Sequence, residues 1–288
     1  MNLTSPKTIK ELLAKYGAKP SKRFGQNFLI DKRILSKIIE AAEIKPTDTI
    51  LEVGPGVGTL SQELAKKAEK VVAIEKDPKM TEILQETLKE YKNVQILQGD
   101  ILKNFKFDDF KLISNFKFQI SNYKVVANLP YYITSPVIRM FLEAKNQPEM
   151  MVLMVQKEVA QRICAKPPKM SLLSVSVQFY SSPKIISYVS KNCFWPSPKV
   201  DSAILKIAPR NYAETRAESR GNINSKLFFS IVRAGFSQPR KQLAGNFSKQ
   251  LKKDKKIIEL WLSKNNINPK QRAETLSIQD WVNLANSW

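Results

Sequence analysis

The 288-residue chain contains no histidine. That absence excludes Ser-His-Asp and Cys-His nucleophiles, His-ligated metals and imidazole acid–base work. Chemistry must then come from carboxylates, amides, backbone groups or a cofactor. Cysteine is nearly missing as well, with Cys164 and Cys193 alone. Their separation suits neither a disulfide framework nor a metal site, so both are expected to be buried, reduced and inert. No apolar stretch approaches the roughly 20 residues of a membrane helix. Met1–Lys10 lacks the apolar segment of a signal peptide. The expectation is a cytoplasmic protein with no membrane and no metal.

What the chain has in excess is positive charge: 47 Lys and Arg against 26 Asp and Glu, a net +21. Such a balance points to a polyanionic partner. Its distribution is uneven. Residues 51–100 carry seven basic against nine acidic side chains, whereas residues 206–288 carry sixteen against six. Cofactor work in the first and phosphate contact in the second is the economical division.

Short apolar runs at Thr49–Val53, Val71–Glu75, Val94–Leu97 and Lys124–Ala127 read as strands. Between the first three lie helix-length segments, Thr59–Ala68 and Pro78–Tyr91, which gives β-α-β-α-β and a parallel sheet covered on both faces. Helices are expected near Ile9–Tyr16, from an N-cap at Asp31, and near Ser135–Ala144. Met150–Gln156 reads as a fifth buried strand. Ile185–Val189 and Ser202–Ile207, joined through the Pro-rich Phe194–Lys199, suit an antiparallel pair closing the sheet. Pro209–Asn224 is polar and charged and marks a domain boundary, so residues 1–209 and 210–288 form the expected domains. Leu227–Val232, Ile257–Leu262 and Ile278–Leu284 make the second domain small and all-α.

The first strand runs into Gly54, Gly56 and Gly58, a turn that lets backbone approach a ligand at the carboxyl end of a parallel strand. The third glycine of a dinucleotide fingerprint would fall on Thr59, which argues against NAD. Glu75 closes the second strand, where a carboxylate can accept from both ribose hydroxyls. Asp100 follows the third, where it can accept from an adenine amino group. Either alone could merely cap a helix; together with the glycine turn they outline a nucleoside rim.

The fourth strand ends in Asn128, Leu129, Pro130 and Tyr131. This resembles the Asn/Asp-Pro-Pro-Tyr signature of amino-group methyltransferases that use S-adenosylmethionine. An exocyclic adenine nitrogen is a poor nucleophile because its lone pair is delocalised into the ring. Acceptance by the Asn128 amide oxygen and the Leu129 carbonyl would favour pyramidalisation and aim that lone pair. Tyr131 would supply a stacking face.

Together with Phe24–Leu29, Phe194–Ser202, Arg233–Leu243 and Arg272–Leu276, this motif string resembles the KsgA-type (RsmA) ribosomal RNA adenine dimethyltransferases. The resemblance spans about residues 16–280. It implies a Rossmann-like α/β methyltransferase domain and a C-terminal helical domain. The implied reaction is dimethylation of N6 of two adjacent adenosines in the 3'-terminal hairpin of small-subunit rRNA, on the rRNA or a small-subunit precursor. By motif, Asn27 and Leu29 would line the methionine end of S-adenosylmethionine and Gly54 would sit under it. Glu75 would hold the ribose, Asp100 the adenine, and Asn128 would bridge cofactor and target amine. Arg233, Arg240 and Lys241 would contact rRNA, the last two from a helix. Pro239 departs from the family pattern, as does the long, Phe/Lys-rich connection between Asp100 and Asn128.

Two other readings stay open. An erythromycin-resistance type enzyme shares fold and cofactor but modifies large-subunit rRNA; the forms at Gly25–Leu29 and Asn128–Tyr131 favour the small subunit. A binding protein of ribosome assembly or nucleic acid would not need catalysis, and Asn128, Tyr131, Glu75 and Asp100 argue against that.

Overall fold

The computed structural model describes residues 1–104, 122–209 and 224–288. Most of the Phe/Lys-rich connection after Asp100, and the expected boundary after Pro209, lie outside the described residues. Contacts divide the chain into two compact units. The first comprises Met1–Ala160 and Pro183–Pro209; the second combines Gln161–Ser182 with the described part of Arg210–Trp288.

The first unit is α/β. Its strands are β1 (Phe28–Leu29), β2 (Thr49–Val53), β3 (Lys70–Glu75), β4 (Val94–Gln98), β5 (Tyr123–Asn128), β6 (Met150–Gln156), β7 (Ser181–Val189), β8 (Phe194–Trp195) and β9 (Ser202–Pro209). Seven of them form one sheet in the order β4-β3-β2-β5-β6-β9-β7. The first five pair in parallel and β9 runs antiparallel to β6. Chain order reverses between β2 and β5, and at such a switch point the connections leave in opposite directions and open a crevice.

Helices α1 (Pro6–Lys15), α2 (Lys32–Ala42), α3 (Thr59–Ala65), α4 (Pro78–Thr87), α5 (Ile101–Asn104) and α6 (Thr134–Glu143) complete the layers. Asp31 caps α2 through Arg33 N–H, as its sequence position predicts. One face of α2, Ile34, Leu35 and Ile38, packs with Ile50, Val71 and Val126 of the sheet. Parallel strands buried on both faces must be apolar throughout, which is why they stand out in the sequence. The remaining pair, β1 and β8, forms a two-residue ladder with Phe28 opposite Trp195 and Leu29 opposite Phe194. This ladder pins the arm before α2.

A buried ion pair lies beneath the sheet. Lys124 Nζ donates to the Glu43 carbonyl at 2.6 Å and to Asp48 Oδ2 at 2.8 Å. Burial works against ionised Asp48, yet the lysine holds its carboxyl below the usual range.

The second unit is helical: α8 (Leu172–Tyr180), α9 (Ser225–Gly235), α10 (Leu243–Leu251), α11 (Lys255–Lys264) and α12 (Ile278–Asn286), with α7 (Lys157–Ile163) leading into it. Met170 and Val175 join Phe228, Phe247, Trp261 and Trp281 in one core. The expected division at 209 therefore needs one change, because Gln161–Ser182 packs with the helices rather than the sheet. Both cysteines are only partly buried, contrary to expectation. Cys193 Sγ lies 3.7 Å from Asp31 Oδ2. Burial and that carboxylate push its thiol up, which keeps it protonated and unreactive.

Among the described residues no helix is long and apolar enough to cross a membrane. No group of three or more potential metal ligands occurs among them either.

Candidate active site

The carboxyl ends of β2, β3, β4 and β5, with the arm from Phe24 to Leu29, enclose a cleft of about 940 Å³, open mouth included. Asn27, Leu29, Gly54, Glu75, Asp100, Asn128, Leu129 and Tyr131 all line it. Arg233, Arg240 and Lys241 do not; all three are exposed in the second unit.

The glycine turn forms the floor. Gly54 and Gly56 have φ of +70° and +60°, a region where a side chain is strained. A Cβ on Gly54 would stand 3.2 Å from Pro130 Cδ, and one on Gly56 would stand 3.1 Å from Phe28 Cε1. Backbone at this turn is thus in direct contact with both walls. A cofactor can lie against main-chain atoms there.

Glu75 occupies the next strand end. Its Oε1 accepts from Asp77 N–H at 2.8 Å and its Oε2 from Gly56 N–H at 3.1 Å. Burial nevertheless pushes the carboxyl up to about 7 against these main-chain donors. A carboxylate has about four acceptor positions. These main-chain bonds do not use up that capacity, which leaves room for a hydroxyl donor from a ligand. Asp100, after β4, accepts from Leu102 N–H at 3.1 Å and pairs with Lys76 at 2.9 Å. Burial opposes its ionisation, but Lys76 and Leu102 hold its carboxyl below the ordinary range.

At the end of β5, Asn128 Nδ2 donates to the Asn27 carbonyl at 3.1 Å. Asn27 Nδ2 in turn donates to the Gly25 carbonyl at 3.2 Å. With its nitrogen held by the arm, Asn128 has its Oδ1 as the end left to accept. Leu129 is a core side chain, so only its carbonyl can serve a ligand. The hydroxyl of half-buried Tyr131 shares a 2.6 Å hydrogen bond with Ser202 Oγ at the start of β9, which fixes the ring. Tyr132, 52% exposed, stands beside it at the cleft mouth.

Sequence reading gave no role to Glu52, although it precedes the glycine turn. Glu52 is fully buried at the cleft, hydrogen-bonded to Ser61 at 2.5 Å. Burial, with Glu75 nearby, pushes it up to about 8. Gln26 was also missed. Its Nε2 donates to Asp77 Oδ2 at 2.8 Å and ties the arm to the turn after Glu75. An acid buried inside an otherwise apolar strand was the available signal for Glu52; nothing local marks Gln26.

The expected helix carrying Arg240 and Lys241 is absent. Residues 236–242 form a turn between α9 and α10. Pro239 has no N–H to donate, and the chain turns there before α10 begins after Gln242.

Comparison with known proteins agrees with this geometry. Residues 17–288 match the family model for ribosomal RNA adenine dimethylase. A curated protein of Dehalococcoides mccartyi strain CBDB1, named ribosomal RNA small subunit methyltransferase A, is 45% identical over 276 residues, covering 96% of this chain and 90% of that protein. A protein of the same name from Geobacillus kaustophilus is 40% identical, covering 99% and 97%. Among solved structures, a dimethyladenosine transferase from Plasmodium falciparum superposes with a TM-score of 0.70 at 28% identity, covering 88% of this chain and 94% of that one. The 23S rRNA methyltransferase ErmE gives 0.69 at 25%, covering 91% and 99%. A match to the family model from the arm through the helical unit, joined to a cleft shaped for a nucleoside, leads to one conclusion: the chain belongs to the ribosomal RNA adenine dimethylase family, whose methyl donor is S-adenosylmethionine.

Proposed function

We propose that this chain dimethylates N6 of two adjacent adenosines in the 3'-terminal hairpin of small-subunit rRNA, acting in the cytoplasm on the rRNA or a precursor of the subunit. The observation that carries the reading is Asn128. Its amide is clamped by the Asn27 carbonyl at the switch point of the sheet, beside a strand-end carboxylate suited to a ribose. Full-length relatives named for the small subunit support that choice over the large one.

Bound S-adenosylmethionine supplies a methyl group on a sulfonium, which leaves as a neutral sulfide. Glu75 accepts from the ribose hydroxyls, Asp100 from the adenine amino group, and Gly54 leaves space beneath the cofactor. Asn27 and Leu29 line the methionine end. Asn128 Oδ1 and the Leu129 carbonyl accept from the target amine and turn its lone pair out of the ring. Tyr131, braced by Ser202, supports the base. No strong base is required before transfer, since the alkylated amine is acidic enough to release its proton to water. The lack of histidine is no obstacle. In this reading residues 1–209, apart from Gln161–Ser182, form the methyltransferase domain, and residues 210–288 with that segment form the rRNA-binding domain, with Arg233, Arg240 and Lys241 on phosphate.

The decisive experiment transfers labelled methyl groups to unmethylated small subunits, large subunits and naked rRNA in parallel, with nucleoside analysis. Dimethyladenosine from small-subunit samples is expected. Label in the large subunit would favour the ErmE-like reaction, and no label would leave an assembly role. Asn128→Ala should lower single-turnover transfer at least tenfold, about 1.4 kcal/mol or more, with cofactor binding retained.

A further inference from the structure

We propose that Lys76 is a positioning residue of the cofactor site, clamping Asp100 across two strand ends so that the carboxylate meets the amino group of the cofactor adenine. The inference rests on the assignment of Asp100 made above.

Lys76 follows Glu75 directly, so its backbone leaves β3 at the cleft while its side chain lines the cleft wall. The ammonium reaches the turn after β4 and binds Asp100 Oδ2 at 2.9 Å. The other oxygen, Oδ1, takes Leu102 N–H. One donor on each oxygen fixes the plane of a carboxylate. The Lys76 ammonium also lies 6.0 Å from the centre of the Phe24 ring. Its side chain thus spans from the arm to Asp100 at one end of the cleft.

Among the described residues this is the one ion pair whose partners both line the cleft. Pairs such as Lys66–Glu63 and Lys79–Glu82 link neighbours on helices. A cation here gains nothing by attracting S-adenosylmethionine, whose sulfonium is itself positive. Its use lies in the partner it holds. Asp100 is 15% exposed in its side chain, against 45% for Lys76, so the acid is the shielded member and the lysine covers it. The depressed carboxyl of Asp100 agrees with that arrangement.

The test is calorimetry of S-adenosylmethionine and S-adenosylhomocysteine on the full chain. The variants are Lys76→Met, Lys76→Arg, Asp100→Asn and the double Lys76→Met/Asp100→Asn. Methionine keeps the stem and deletes the charge. Lys76→Met should weaken both ligands about fivefold, on the order of 1 kcal/mol. Lys76→Arg should restore most of the loss, and Asp100→Asn should cost tenfold or more. In the Asp100→Asn background, Lys76→Met should cost nothing further, because the clamp then has nothing to hold. In turnover, KM for the cofactor should rise in Lys76→Met while kcat stays. Wild-type or tighter binding by Lys76→Met, beside a weak Asp100→Asn, overturns the clamp alone. An undiminished Lys76→Met loss in the Asp100→Asn background does the same. Wild-type binding by Asp100→Asn overturns the assignment of Asp100, and the clamp with it.

Discussion

Two carboxylates, Glu52 and Glu75, lie buried within the sheet unit beside three glycines held at positive φ. The helical unit buries no charged side chain among its described residues. Its core is built from rings, with Phe179 stacked on Phe228 at 4.0 Å and Phe247 edge-on to Trp261 at 5.1 Å. Buried Asn246 is satisfied locally, donating to the carbonyls of Gly235 and Gln238. The contrast teaches where stability and function part company. The sheet unit carries desolvated acids and a turn only glycine adopts freely where a ligand belongs, whereas the helical unit keeps its charges on the surface around an apolar, ring-packed core.

The contrast should appear most strongly against pH. Burial raises Glu52 to about 8 and Glu75 to about 7, while in the unfolded chain both ionise near the ordinary glutamate value. Between those limits the folded chain holds protons that the unfolded chain has released. The contribution of these two groups is therefore fully present below about pH 4, and several kcal/mol of it are lost as pH rises to about 8. Denaturant unfolding across that range should record the fall, and Glu52→Gln should flatten it. Identical wild-type and Glu52→Gln profiles would refute the effect.

Removing Lys124 comes next. Lys124→Ala leaves the largely shielded Asp48 with the N–H and charge of Lys45 but without its direct ion-pair partner, and a loss of about 3 kcal/mol is expected. Adding Asp48→Asn should recover part of it, and failure to recover any would mean that the cost is packing. In the helical unit, Gly235→Ala would place a Cβ 2.4 Å from Trp281 Cη2 and 2.9 Å from Cζ3. Overpacking should cost about 3 kcal/mol, with cofactor affinity unchanged in the folded protein. A loss of affinity would break the separation drawn between the units. The smallest effect belongs to the capping box of α12, where Ser277 and Asp280 satisfy each other's backbone N–H. Ser277→Ala should cost about 1 kcal/mol in the same unfolding assay, with no change in its pH profile.

Much of this was legible in the residues. The parallel strands declare themselves because burial on both faces leaves no polar alternation, and Gly54, Glu75, Asp100 and Asn128 stand at their ends. The cleft was readable because open α/β sheets bind at those ends. Other features depend on partners far along the chain. The β1–β8 ladder is two residues long on each side, too short for any pattern, and joins segments more than 160 positions apart. Val175, Val177 and Phe179 alternate as in a strand, yet Leu172–Tyr180 is a helix, set by the Ser171–Ser174 capping box and by packing on Phe228. The turn at 236–242 replaces the helix expected to carry Arg240 and Lys241, and Pro239, without an N–H, stands at its centre.

The state of Glu75 has a consequence for how the cofactor is held. A carboxyl near 7 is partly protonated in neutral buffer, and in the binding mode proposed above the ribose hydroxyls would favour its charged form. Cofactor uptake then expels a fraction of a proton into solution. The heat of binding should vary with the ionisation enthalpy of the buffer, and affinity should drop as the medium is acidified below neutrality. In a chain without imidazole, a buried carboxyl at the proposed ribose position takes the titrating place near neutrality that histidine usually fills.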